Sequence, residues 1–394
     1  MQIYLDAYIE APKTGEWGNE DYTGKGIPVI RTANFTDNGV INYSNIVTRD
    51  ISQKKFEEKA LLTGDIIIEK SGGSDTKPVG RVVYYDGESH KYLFNNFTSV
   101  LRVKNKEELN SRYLFYFLFH YYRTGNTKRF ENKTTGLHNL KLDAMLKQTL
   151  FAPPSLCKQN RCVESLDKVN VVVRHLQQEI DLLDSLTKSR FVEMFGDSQM
   201  NPFQWPIKRV GELATEIKYG TSLPSVDGGK YPYLRMNNLT NDGHLDLSDL
   251  KYIDIPNSEL EKCLVRKGDV LFNRTNSIEL IGKTATYNLN QEMVIAGYII
   301  RVRLNEEMNP DFFSTLFNLE YMKVMLQRIA KGAVNQANIN SKELQSIRIY
   351  VPPIEKQNCF VEFMHQIDKS KAVIQKSLDE AQLLFDSLMQ EYFG

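Results

Sequence analysis

The chain has 394 residues, 41% hydrophobic and 25% charged, which is enough for two or three ordinary domains and too apolar for a disordered tail. Its 49 lysines and arginines balance 49 aspartates and glutamates, so a globally basic surface is excluded and any basic patch must be local. The four cysteines form no paired framework, no basic region precedes an apolar run at the N-terminus, and the greasiest segment, Tyr113–Tyr122, is about half a membrane span. The expectation is a reduced, cytoplasmic setting with no membrane partner.

In chain order, the first predicted element is a globular unit over residues 1–153. Asp65–Ile68 and Val82–Tyr85 read as short strands between turn residues, and Arg112–Arg123 as a helix. Pro153 and Pro154 can neither continue a ladder nor sit inside a helix, so they mark a sharp exit. A long helix is expected over 154–196, where Cys162, Leu166, Val169, Val173, Leu176, Ile180, Leu183 and Thr187 follow steps of four and three, the spacing of a coiled-coil seam. The succession then returns: a unit over 197–353 with a helix near Asp311–Ile329, a second Pro-Pro pair, and a helix over 354–394. Its seam runs through Phe360, Met364, Ile367, Lys371, Ile374, Leu378, Ala381, Phe385 and Leu388, and only Lys371 breaks it.

This is an internal repeat with a period near 200 residues. Ile30-Arg31-Thr32-Ala33-Asn34 is answered by Leu234-Arg235-Met236-Asn237-Asn238, and Gly64-Asp65 by Gly268-Asp269. Leu101-Arg102-Val103 matches Ile300-Arg301-Val302, and Phe151-Ala152-Pro153-Pro154 matches Tyr350-Val351-Pro352-Pro353. The predicted fold class is α+β: two tandem mixed α/β units of similar fold, separated by two long antiparallel coiled-coil helices in a pseudo-twofold arrangement. The first copy starts at Met1 without a counterpart of Asn201–Val210, so its opening strand and tryptophan are expected to be missing or diverged. Apolar positions off the seam, among them Val163, Val172, Leu186, Val361, Phe363 and Leu384, exceed what two strands can bury and are the candidate partner-binding residues.

Several strings that suggest chemistry fail on inspection. Ile281-Gly282-Lys283-Thr284 lacks the first glycine of a phosphate-binding loop, because position 277 is Ser277. Asp65, Glu69 and Lys70 could pass for a metal-dependent nuclease cluster, yet their partners are Asp269, Asn273 and Arg274, one carboxylate short. The six histidines show no metal-ligand spacing, and Asn201-Pro202-Phe203 follows no glycine-rich cofactor loop. The expectation is a chain without catalytic residues, metal or cofactor of its own.

The polar residues that overlay in both copies are of types that touch nucleic acid. In the first copy the candidates are Arg31, Asn34, Lys70, Ser71 and Arg81, the loop residues Ser74 and Lys77, and then Lys133, His138 and Asn139. In the second they are Arg235, Asn238, Arg274, Thr275, Asn276, Lys283, Gln336 and Asn338. Loops of different sequence on similar flanks, Gly72–Lys77 against Asn276–Leu280, suit two readers of different targets. The strongest local excess of positive charge is residues 121–150, with 6 basic and 2 acidic side chains around Lys128, Arg129 and Lys133, a candidate phosphate ridge. Other readings of the same features are a non-catalytic protein-binding scaffold with two heads on a strut, or a metal-dependent nuclease.

The whole chain resembles the specificity subunits of type I restriction-modification systems. The likeness rests on the duplicated order of unit and helix, on the two Pro-Pro strings with Gln159 and Gln357, and on Lys188–Asp197 joining the halves. Trp205 with Val210-Gly211-Glu212-Leu213 resembles the opening of a second target recognition domain. The resemblance implies a DNA-binding, non-catalytic subunit: each recognition domain reads one half of an asymmetric bipartite target in double-stranded DNA. It implies that the helices dock two adenine-N6 methyltransferase subunits, and that an ATP-dependent restriction subunit can join them. S-adenosylmethionine, ATP and Mg2+ would then sit on those partners.

Overall fold

The computed structural model describes residues 3–134, 137–196, 200–333 and 336–394. It comprises two compact units: unit 1 is Met1–Gln177 with Lys376–Gly394, and unit 2 is Gln178–Gln375. Two helices of 40 residues, Leu156–Phe195 and Ile354–Phe393, each contribute one stretch to either unit. At ~1.5 Å per residue each is about 60 Å long.

Unit 1 is built on a four-stranded antiparallel sheet in the order Lys13–Thr14, Thr98–Leu101, Ile66–Glu69, Val82–Tyr84. Ile66–Glu69 is buried throughout, as a central strand with covered faces must be. A second sheet orders Asn19–Glu20, Val47–Asp50, Ile27–Ile30 and Leu93–Phe94, the last pair parallel. The helix Ser111–Arg123 packs seven buried residues into the core, among them Phe115 and Tyr116. That core continues into the helix pair through Leu166, Phe385 and Met389, with Cys162, Val169 and Leu388 packed against it.

Unit 2 repeats the plan. Its first sheet orders Ala214–Tyr219, Ile299–Leu304, Val270–Asn273 and Thr284–Thr286, and its second Lys251–Ile253, Tyr231–Leu234, Met293–Ile295 and Leu264–Val265. Phe191 and Phe195 meet Phe360 at 5.4 and 5.5 Å, and Phe312 joins them. Each such pair is worth about 0.5–1.5 kcal/mol beyond the area it buries. Lys371, the seam's one interruption, reaches Asp184. With Phe195 beside Phe360 and Asp184 beside Lys371, the two helices run antiparallel within this unit.

Four expectations change. The strand repeat is shifted by two residues: Ile66 pairs with Leu101 and Val270 with Val302, so Arg102 corresponds to Arg303 and not to Arg301. A two-residue slip keeps every side chain on its own face, which is why the string match did not expose it. The helix expected near Asp311–Ile329 is two helices, Pro310–Asn318 and Glu320–Ile329, divided at an extended Leu319. The opening strand of unit 1 is shortened rather than missing: Tyr4 bridges Leu150 and the Leu5 N–H donates to the Thr149 carbonyl at 3.1 Å. In unit 2 Ile207–Arg209 pairs with Arg348–Tyr350 over three residues. Finally, the basic ridge over 121–150 is broken, because Arg123 pairs with Asp386 and Arg129 folds back onto the Tyr121 and Phe130 rings.

Candidate nucleic-acid interface

In each unit the central core strand runs on into a third, three-stranded sheet. In unit 1 Ile66–Glu69 passes through Lys70 into Ser71–Gly73, which pairs with Leu137–Leu140, itself paired with Glu131–Thr134. Gly72, at φ +110°, supplies a backbone geometry that a side chain would strain. In unit 2 Val270–Asn273 passes through Arg274 into Thr275–Asn276, which pairs with Gln336–Asn338, itself paired with Lys331–Ala333.

These sheets gather most of the sequence-predicted residues. Ser71 bonds Asn139 by side chain in unit 1, and Asn338 Nδ2 donates to Thr275 Oγ1 at 2.9 Å in unit 2, the same pair in two chemistries. Lys70 and Arg274 share the junction. Lys70 Nζ donates to Thr14 Oγ1 at 2.8 Å, while Arg274 donates to Asn338 Oδ1 at 3.0 Å and lies over the Tyr219 ring at 4.8 Å. Burial pushes the Lys70 ammonium below its ordinary range. Lys133 stands opposite His138 and pairs with Asp75, His138 Nδ1 lies 2.7 Å from Glu131, and Lys77 holds Asp37 at 3.1 Å. The hydrogen bond and charge of Lys133 hold the Asp75 carboxyl below the usual carboxylate range. Ser74 and Gln336 are exposed, and Asn276 half-buried.

The remaining candidates are committed to the fold. Asn34 accepts the Arg31 N–H at 2.9 Å and donates to the carbonyls of Asn42 and Asn45. Asn238 repeats this with Arg235, Asp246 and Asp249. Arg31 donates to the Asn45 carbonyl and Arg235 to Asp249. Arg81 forms a two-point ion pair with Glu69, and Lys283, only 8% exposed, donates to the carbonyls of Met236 and Leu239. A strand follows Lys283, so no helix N-terminus stands where a phosphate-binding loop needs one. Asp65 is likewise consumed, by Arg102 and the Leu62 N–H. Among the described residues no group of His, Cys, Asp and Glu could hold a metal ion.

Sequence reasoning missed Asn132, exposed and directly opposite Asn139, and Lys331, opposite Asn338. Their signal is a hairpin on either side of residues 135–136 and 334–335. It also missed Glu131 and Asp75 as the acids that orient His138 and Lys133.

The helix candidates divide. Val361 is 6% exposed inside the unit 2 core, and Val163, half-buried, packs against the unit 1 core. Phe363 is half-buried beneath the Arg190 guanidinium at 5.9 Å. Val172 and Leu384 in unit 1, and Leu186 in unit 2, are about half exposed, and Leu383 and Leu182 about two-thirds. Each unit therefore exposes apolar side chains on its long helices.

The profile of the type I restriction modification DNA specificity domain matches residues 10–182 and again residues 202–383. The chain belongs to this family. Its two halves are DNA specificity domains, the non-catalytic recognition part of a type I restriction-modification system. Over 391 residues, 92% of this chain and 80% of the relative, it is 24% identical to the type I restriction enzyme EcoKI specificity subunit of Escherichia coli K12. A stretch of 196 residues, 49% of the chain, is 28% identical to a Methanocaldococcus jannaschii protein provisionally named type I restriction enzyme MjaX specificity subunit, and spans 46% of that protein's length. In fold the chain is similar to the crystal structure of the S subunit from M. genitalium, with a TM-score of 0.62 at 15% identity, covering 100% of this chain and 96% of the other. No helix among the described residues is long and apolar enough to cross a membrane.

Proposed function

We propose that the two specificity domains read the two halves of an asymmetric bipartite site in double-stranded DNA, each through its three-stranded sheet. The observation that carries this is the duplicated junction: one backbone frame places Lys70, Ser71, Asn132 and Asn139 together in unit 1 and Arg274, Asn276 and Gln336 in unit 2. A β-ribbon fits the major groove, where amides pair with adenine edges and arginine or lysine with guanine edges or phosphate. The exposed apolar side chains on the long helices are the docking surfaces for two adenine-N6 methyltransferase subunits. S-adenosylmethionine belongs to those subunits, and ATP with Mg2+ to a restriction subunit, in the cytoplasm.

The test is a methylation map in cells carrying the chain and its methyltransferase, repeated after residues 1–150 are exchanged for those of a different specificity subunit. One half of the motif is expected to change and the other to persist; a map untouched by the exchange refutes the reading. At finer grain, Asn139→Ala relaxes the first half-site alone, whereas Lys133→Ala weakens binding to all sequences together and lowers its salt dependence.

A further inference from the structure

Two glutamines wholly inside the fold make the same bonds in both units. Gln159 and Gln357 are each 0% exposed, and each is the fourth residue of its long helix. Gln159 Oε1 accepts the Asn110 N–H at 2.8 Å, and its Nε2 donates to the carbonyls of Glu108 at 2.9 Å and Pro154 at 2.8 Å. Gln357 accepts the Asn309 N–H at 2.9 Å and donates to the carbonyls of Glu307 at 2.9 Å and Pro352 at 2.8 Å. The next residue adds a bond in each case: Asn110 Nδ2 donates to Asn160 Oδ1, and Asn309 Nδ2 to Asn358 Oδ1, both at 2.8 Å. Asn110 and Asn309 are in turn the N-caps of Ser111–Arg123 and Pro310–Asn318.

The chain around this clasp has drifted while the clasp has not. The Pro-Pro pair lies one residue nearer the glutamine in unit 2, yet each glutamine bonds the carbonyl five residues before it, and matching bonds agree within 0.1 Å. A buried amide with three bonds fixes rotation as well as position, which apolar contact does not. In unit 1 the capped helix runs 13 residues, about 20 Å. Its far end, at Phe119, Tyr122 and Arg123, walls a cleft shared with Thr36, Asp37 and, from the loop Gly72–Lys77, Thr76. A tilt at the cap is therefore delivered to the loops.

We propose that Gln159 with Asn110, and Gln357 with Asn309, are positioning residues for target recognition: they set the angle of each specificity domain on its long helix, and with it how strictly the gap between half-sites is enforced. This rests on the bipartite reading above. The full chain with its methyltransferase is tested as four variants, Gln159→Leu, Gln357→Leu, Asn160→Ala and Asn358→Ala. The asparagine variants remove one exposed bond and leave the buried amides intact. Methylated adenines are mapped, and folded protein is measured by thermal melting. The expected result is about a tenfold loss of discrimination against sites whose gap is one base pair longer or shorter, with the bases of both half-sites unchanged. Methylation that falls at all sites in proportion to folded protein, with the gap preference intact, would overturn the clasp alone. An undivided motif in the parent map would overturn the reading beneath it, and the clasp with it.

Discussion

Units 1 and 2 solve one packing problem with different electrostatics. On the strand that pairs with the central one, unit 1 places Val100, 3% exposed, where unit 2 places Arg301, 0% exposed. Around Arg301 stand Glu216, the Leu264 carbonyl and, at 3.9 Å, Asp269, while Arg303 bonds Glu216 and Asp269 at 2.8 Å. Among the described residues of unit 1 only the Arg102–Asp65 half of this network is present. The shared half belongs to the frame, and the added half is a local elaboration that the frame tolerates.

That distinction orders the expected effects. Asp65→Ala should be the most damaging, leaving the partly buried Arg102 guanidinium and the Leu62 N–H without their acceptor at a cost of about 3 kcal/mol, and Asp269→Ala should follow, since the Arg266 N–H loses its acceptor while Arg303 keeps Glu216. Hydrogen exchange resolved by unit should show unit 1 opening in the first variant and unit 2 in the second. Equal loss in both units from either change would break the equivalence of Arg102 and Arg303.

Changes in the added half should cost less and differ from one another. Glu216→Ala removes the nearest carboxylate from the buried Arg301, leaving it the Leu264 carbonyl and a distant Asp269, and is expected to destabilise unit 2 by about 2 kcal/mol. Arg301→Val, which installs the unit 1 solution and leaves Glu216 bonded to Arg303 and Lys218, should stay within about 1 kcal/mol of the parent. Burial pushes the Glu216 carboxyl up, but the Lys218 hydrogen bond and the charges of Arg301 and Arg303 outweigh it, so the carboxyl lies below its ordinary value. A carboxyl lowered on folding stabilises above its unfolded value, near 4.5, and loses that contribution as pH falls through the folded one. Unit 2 of Glu216→Gln should therefore lose less stability than the parent on acidification below about pH 4.5, read as melting temperature against pH.

The duplicated order and both helices were legible because a seam repeated over eight and nine positions and a doubled Pro-Pro exit are long-range patterns. The strand register was not, since Ile300-Arg301-Val302-Arg303 offers two arginines on one face and a period of two cannot choose between them. Residue type also misled at Asn34, Asn238 and Lys283. An amide that closes a turn and an amide that meets a base look alike in sequence, and only the carbonyls of Asn42, Asp246 and Leu239 show where these side chains go. Lys70, Ser71, Asn139 and their unit 2 counterparts come together because they flank a core strand that the pattern had already located.

Lys371 is the smallest test and bears on what the seam is for. It interrupts an otherwise apolar row, and its ammonium meets Asp184, whose side chain is 51% exposed. A pair that open to water contributes about 0–1 kcal/mol, roughly what burying a leucine at a half-covered seam position would return. Lys371→Leu should thus leave unit 2 within about 0.5 kcal/mol of the parent. If helix pairing were governed by apolar area alone, the same change would stabilise the unit measurably in thermal melting. A neutral result combined with a weakened preference for the native helix register would instead assign Lys371 and Asp184 to alignment, since a charged pair at a single seam position penalises every register that separates the two.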